Sequence, residues 1–121
     1  MDHAANVYHK AINLSTGEVI ADKVKIAQDF KSRSIGLLNR TSMGEEEGLL
    51  IKPCNSIHTF FMKFPIDVLF LDKNGKIVKL KTSMRPWRLA DCLLKAFMTL
   101  ELSPGKIIKT KLKPGDLIRI D

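Results

Sequence analysis

Residues 53–72 read PCNSIHTFFMKFPIDVLFLD, and the fold turns on them. β-Branched and aromatic residues fill the run and turn residues bound it, so it reads as strand. Pro65 interrupts it. A proline has no N–H to give a ladder, so a bulge, a bend or an edge is expected there. Parity along a strand sends His58, Phe60, Met62 and Phe64 to one face and Ile57, Thr59, Phe61 and Lys63 to the other. On that parity His58 is an interior imidazole and Met62 a core filler.

The flanks extend the pattern. DKNGK, residues 72–76, is a hairpin turn, with Asn74-Gly75 suited to type I′ geometry. IVKLKTS then alternates cleanly, so it adjoins the preceding strand in a meander. Upstream, VYHKAINL and VIADKVKIA flank STGE, which predicts an N-terminal hairpin within residues 1–29, turning at Gly17. Phe30, Ser34, Leu37 and Leu38 recur at helical spacing behind Asp29, a suitable N-cap, which predicts a short helix from Phe30 to Leu38. A brief strand is expected over Leu49–Lys52. Downstream, MRPWR is a loop, LADCLLKAF a helical turn or partly buried connection, and FMTLEL an alternating strand. SPGK turns the chain, and KLKPGDLIRID closes it with a turn at Pro114-Gly115-Asp116 and a last strand. Seven or eight short strands with one or two short helices predict a mainly β single domain over residues 1–121, a sandwich or barrel; an α+β sheet is the alternative.

Bulk properties agree. The chain has 121 residues, 45% hydrophobic and 27% charged, which suits one domain with a real core rather than disorder. No apolar run approaches the roughly 18 residues of a membrane span. The N-terminus, MDHAANVYHKAINLSTGEV, has no basic start followed by an apolar stretch, so a cytoplasmic location is expected. Cys54 and Cys92 are too few for a disulfide framework and read as reduced thiols. The net charge is +7, and Lys76 to Lys113 carries ten Lys or Arg against Asp91 and Glu101. Such a basic half suits either a solvated surface or a nucleic-acid contact. Trp87 and Phe97 are thin aromatic interleaving for a base-stacking platform.

Cys54, His58 and Met62, four residues apart, are soft donors suited to Cu(I), or to Zn with less help from the thioether. On one strand, residues four apart lie about 13 Å from each other. A metal bonds its ligands at roughly 2.0–2.3 Å. The linear pattern is therefore no chelate by itself; further ligands would come from Met84, Cys92, His3 or His9. Asp67, flanked by Ile66 and Val68, needs hydrogen bonds or a cation, and His58, Arg85, Arg88 and backbone N–H groups near Pro65 are candidates. Paired with His58 it would be a general base; bonded to backbone it would pin a bulge. Trp87, between Pro86 and Arg88, would either pack inward, stack a ligand or anchor a protein contact. No G-x-S-x-G, S-x-x-K, H-E-x-x-H or phosphate-cradling glycine loop occurs, so the chain leans away from an enzyme.

RSIGLLNR, GLLI, SIHTFFMKFPIDVLFLDKNGKIV, MRPWR, LELSPGKI and KPGDLIRI follow one another in order. Together they resemble the prokaryotic family called domain of unknown function 192, over about residues 30–120. The resemblance implies a single small β-rich domain like a jelly-roll sandwich, with no established reaction, cofactor or substrate. Many of its members look exported or lipid-anchored. The expectation is a non-catalytic binding module for a small molecule or a protein, its surface formed around His58, Asp67, Arg85, Trp87 and Arg88. A soft-metal protein using Cys54, His58 and Met62 and a basic nucleic-acid-binding domain are the alternatives, and no cofactor or oligomeric state is specified.

Overall fold

The computed structural model describes residues 7–29, 32–33, 37–38, 40–92 and 95–121. They form nine strands: β1 (His9–Asn13), β2 (Glu18–Ala27), β3 (Glu47–Ile51), β4 (Ser56–His58), β5 (Ile66–Leu71), β6 (Ile77–Met84), β7 (Leu89–Asp91), β8 (Met98–Leu102) and β9 (Ile118–Ile120). A short helix, α1 (Lys106–Lys109), lies between β8 and β9. The protein is mainly β, as the sequence predicts.

Seven strands form one sheet in the order β6-β5-β8-β3-β2-β1-β9, and β4 pairs with β7 in a separate ribbon. All pairs are antiparallel except β2 with β3. The sheet curls until its two outermost strands approach. Lys76 bridges Leu117, Ile77 N donates to Asp116 O (2.9 Å), and Ile118 N donates to Gly75 O (2.8 Å). This contact makes Gly75 obligatory on two counts. Its φ is +87°, and a Cβ there would lie 2.2 Å from the Ile118 carbonyl oxygen.

The curl gives the sheet an inner and an outer face, each with its own core. Ile20, Val24, Leu50, Leu69, Leu100 and Leu102 fill the inside with Ile107 of α1. Leu49, Ile51, Val68 and Phe70 point to the outer face, where Ile57 of β4 and Ala90 of β7 cover them with Met62 and Phe64. β5 is therefore buried along its whole length, which is why IDVLFL shows no apolar/polar alternation.

Several expectations change in detail. The DKNGK turn is not type I′, because Asn74 is not at positive φ and Gly75 alone is. The Asp72 carboxylate accepts from Asn74 N and Lys76 N (2.9 Å each) and sets a tighter local turn in its place. SPGK does not merely turn the chain; it leads into α1. Asp29 does cap a helical turn, its Oδ1 accepting from Ser32 N at 2.7 Å. Most of the predicted Phe30–Leu38 helix lies outside the described residues. LADCLLKAF begins with strand β7, and Ala96 N closes a turn onto Cys92 O (3.0 Å).

Candidate functional site

The 53–72 run is two strands, not one. β4 ends at His58, and residues 59–65 turn the chain before β5 begins. Thr59 makes that turn. Its carbonyl accepts from Met62 N (3.1 Å) and from Trp87 N (3.0 Å). Its Oγ1 donates to Arg85 O (2.5 Å) and accepts from Arg88 N (2.9 Å), while Thr59 N donates to Arg88 O (2.9 Å). One buried threonine thus ties the 59–62 turn to the 85–88 loop.

The turn also breaks the face parity. Phe61 adopts φ 66°, so the alternation restarts beyond it. Ile57, Thr59, Met62 and Phe64 are buried, whereas His58, Phe60 and Phe61 face solvent. His58 is therefore an exposed imidazole rather than an interior one. Its ring stacks on Phe60 (centroids 5.1 Å apart), Phe60 on Trp87 (5.9 Å), and Phe61 leans on Trp87 (4.7 Å). Phe61 is 69% exposed, Trp87 55%, and Leu89, which pairs with His58 across the ribbon, 68%. Arg85 and Arg88 are exposed beside them. The result is a continuous aromatic ridge, His58–Phe60–Trp87–Phe61, with arginine flanks.

Trp87, like Phe61, sits in the left-handed region, at φ 65°. A bulky side chain there costs on the order of 1–3 kcal/mol. Both strained residues carry the rings that meet at the crest.

Asp67 is not on this surface. It is fully buried on the inner face, in parity with Leu69 and Leu71. Its Oδ1 accepts from Ser83 N (2.7 Å) and its Oδ2 from Ile107 N (2.8 Å). Ser83 has φ 45° and lies where the β5–β6 register slips, so Asp67 pins a bulge just before the 85–88 loop and holds the start of α1. His58 lies over the outer face, so the sheet itself separates the two.

Beneath the ridge is a cavity of about 320 Å³. Cys54, His58 and Met62 all line it, because the bend after Cys54 and the turn after His58 undo their strand spacing. The Cys54 thiol donates to Ser56 O (3.1 Å). Among the described residues, no group of three or more His, Cys, Asp or Glu is placed to hold a metal ion. Cys54 and Cys92 are free thiols.

The cavity also exposes a residue that the sequence reading passes over. Glu101, central in β8, lies between Leu49 of β3 and Val68 of β5 on the outer face. It is 4% exposed and reaches the cavity. Among the described residues no donor reaches its carboxyl oxygens. Burial alone pushes its pKa up to about 7. In FMTLEL the alternation places Thr99 and Glu101 opposite Leu100, which reads as a solvent face. The missing signal was the β4–β7 ribbon, a long-range cover that converts that face into a second core.

Comparison with known proteins places these features. A model of the family DUF192, described as Uncharacterized ACR, matches residues 11–120. A UPF0127 protein of Thermococcus kodakarensis is 33% identical over 112 residues, 88% of this chain and 70% of its own length. One from Pyrococcus horikoshii is 35% identical over 104 residues, 80% of this chain and 86% of that protein. A third, from Thermococcus sibiricus, is 40% identical over 82 residues, and the match spans about half of its length (52%). Among solved structures, a protein of unknown function from Novosphingobium aromaticivorans superposes with a TM-score of 0.79 at 20% identity, covering 93% of this chain and 84% of that one. A Sinorhizobium meliloti protein, provisionally described as a transcription regulator, gives 0.80 at 23% identity, covering 96% and 98%. At these identities the two structures establish the shared fold.

Proposed function

The chain belongs to the DUF192 family, and from that premise we propose that it is a small β-rich binding module whose contact surface is the aromatic ridge. Phe60, Phe61, Trp87 and Leu89 supply the apolar contact, His58 extends it, and Arg85 and Arg88 select an acidic or carboxylate-bearing partner at its edges. Asp67 acts from behind, by fixing the bulge from which the 85–88 loop departs.

The observation that carries this reading is the pairing of strain with exposure. Phe61 and Trp87 hold left-handed backbone conformations while leaving most of their surface in water. Neither the fold's core nor local propensity asks for an aromatic residue at such positions. Aromatic anchors with arginine neighbours are the side chains that dominate binding energy at interfaces. Small ordered rings with few rotatable bonds also lose little entropy on contact.

The test uses Trp87, the chain's single tryptophan, as reporter. Random peptides displayed on phage are selected against the protein, with a Phe61→Ser/Trp87→Ser double variant as counter-selection. Enriched peptides are expected to carry aromatic and acidic residues, to shift Trp87 emission, and to lose at least about tenfold in affinity for the double variant. Peptides that bind both proteins equally, or leave Trp87 unperturbed, would refute the ridge as the contact surface.

A further inference from the structure

The Glu101 cavity shares only His58 with the ridge. Its floor is an acid on strand β8; Leu37, Ile51, Ile57 and Met62 give its wall an apolar part, and Arg33, Asn55, Ser56 and His58 a polar one. At about 320 Å³ it is at the small end of ligand sites. A buried carboxyl group is normally satisfied by a donor or a cation. Here none of the described residues supplies one, and since no fully enclosed side-chain nitrogen or oxygen among the described residues lacks a partner, the Glu101 oxygens are not sealed off. The carboxyl oxygens thus meet the open space of the cavity.

Three of the polar groups that share this space make contacts elsewhere. From the 53–62 segment, the Cys54 thiol is turned to Ser56 O, and the His58 ring is stacked on Phe60. Arg33, from the turn after Asp29, donates through Nε to Asp29 O (3.4 Å) and through a terminal nitrogen to Pro53 O (3.3 Å). From β3 and β5, the residues paired with Glu101 are Leu49 and Val68, neither titratable. Asp67 belongs to the opposite face.

We infer that this cavity binds a primary ammonium group on an apolar stem, with the Glu101 carboxylate as its counter-ion. A cation fits better than a neutral acceptor because a charge-assisted hydrogen bond is roughly twice as strong as a neutral one. Two acceptor oxygens suit an –NH3+ head, and the apolar part of the wall, Leu37, Ile51, Ile57 and Met62, suits an alkyl stem. The stem and head can come from a free alkylamine or from a lysine side chain; both present the same chemistry.

The test is a ¹H–¹⁵N titration of the full chain at pH 8 with pentylamine, pentanol and Nα-acetyl-lysine methylamide, each to about 50 mM. Pentylammonium is expected to shift the amides of residues 54–58 and 101, and to bind about tenfold or more tightly than the isosteric alcohol. In Glu101→Gln that preference should collapse to about onefold. Binding of the lysine derivative at similar strength assigns the site to a lysine side chain; binding of pentylammonium alone assigns it to a free amine. If the glutamine variant does not fold, the wild-type ratio of amine to alcohol carries the test. Equal binding of amine and alcohol, no shift with either amine, or undiminished amine preference in Glu101→Gln would overturn the inference. None of these outcomes involves Phe61 or Trp87, so the two sites stand or fall separately.

Discussion

Replacing Glu101 by Gln should flatten the dependence of stability on pH between about 4.5 and 7, the ordinary and the native values of its pKa. The cause is desolvation: burial strips water from the carboxylate, and among the described residues no donor replaces it. The native state therefore holds this proton more tightly than the unfolded chain. Linkage then gives the sign. Between the two values the native state binds more protons, so unfolding free energy falls as pH rises. The contribution is whole below about pH 4.5, is lost progressively up to about pH 7, and is constant above. A rise from 4.5 to about 7 corresponds to on the order of 3 kcal/mol, at about 1.4 kcal/mol per tenfold change in proton affinity. Glutamine keeps the shape and the neutral polarity of the protonated acid but cannot ionise. Urea unfolding at pH 4, 5.5, 7 and 8.5 should show wild type and variant alike at pH 4, and the variant more stable by up to that amount at pH 8.5. Asp116 acts in a separate window. Burial pulls its pKa up, but donors from Lys113 and Asn13 outweigh this and leave it lowered, so its contribution is present above its ordinary value of 3.8 and lost as pH falls. Identical slopes for wild type and Glu101→Gln between pH 4.5 and 7 would refute the reasoning.

Asp67→Asn should destabilise by roughly 2–3 kcal/mol, because an amide NH2 would face one of two backbone N–H donors that the carboxylate now accepts; chemical denaturation measures it. Thr59→Val should cost about 1–3 kcal/mol and shift Trp87 emission to the red, since Arg88 N loses its acceptor and the 85–88 loop its side-chain ties to the 59–62 turn. Phe61→Gly should leave thermal stability unchanged or raise it by about 1 kcal/mol, because glycine accepts φ 66° without strain and the ring removed is mostly in water; a loss above about 2 kcal/mol would mean that the ridge is structural. Cys54, His58 and Met62 line one cavity, so anaerobic titration of the reduced protein with Cu(I), beside a His58→Ala control, tests the soft-metal alternative: one-to-one binding that depends on His58 supports it, and no binding removes it.

Much of the fold was legible because it is written locally. The N-terminal hairpin follows from two alternating runs around Gly17, and the β5–β6 meander from IVKLKTS after DKNGK. What was not legible depends on distant partners. The break after His58 is set by Thr59 reaching residues 85–88, some 26 to 29 positions away, and nothing in SIHTFFM itself reports that contact. Parity arguments fail across such a break, which is why His58 emerged in solvent rather than in the core. The cover of the outer face by β4 and β7 is likewise a tertiary event. It turns Glu101 from a surface acid of an alternating strand into a buried one. Trp87 was singled out from its arginine neighbours alone. Its stacking partners Phe60 and Phe61 came from the segment assigned to strand.

Two acids in neighbouring strands were thus open to the same question, and the sheet answers it differently for each. Asp67 and Glu101 are both buried in the middle of the sheet, one on each face. Every oxygen of Asp67 has a backbone donor, and those donors belong to a bulge and a helix start that need holding. Its charge is used up in architecture, and no side chain of the ridge depends on meeting it. Glu101 has no such employment among the described residues. Its neighbours in register are a leucine and a valine, and its oxygens open on a cavity. A carboxyl group in that state weakens the fold above pH 7, where its protonated form no longer relieves it. Leucine or methionine at position 101 would pack against Leu49 and Val68 at no such cost. The acid is therefore best understood through what can enter the cavity, and a cation that satisfies it would return to the fold the stability that burial took away.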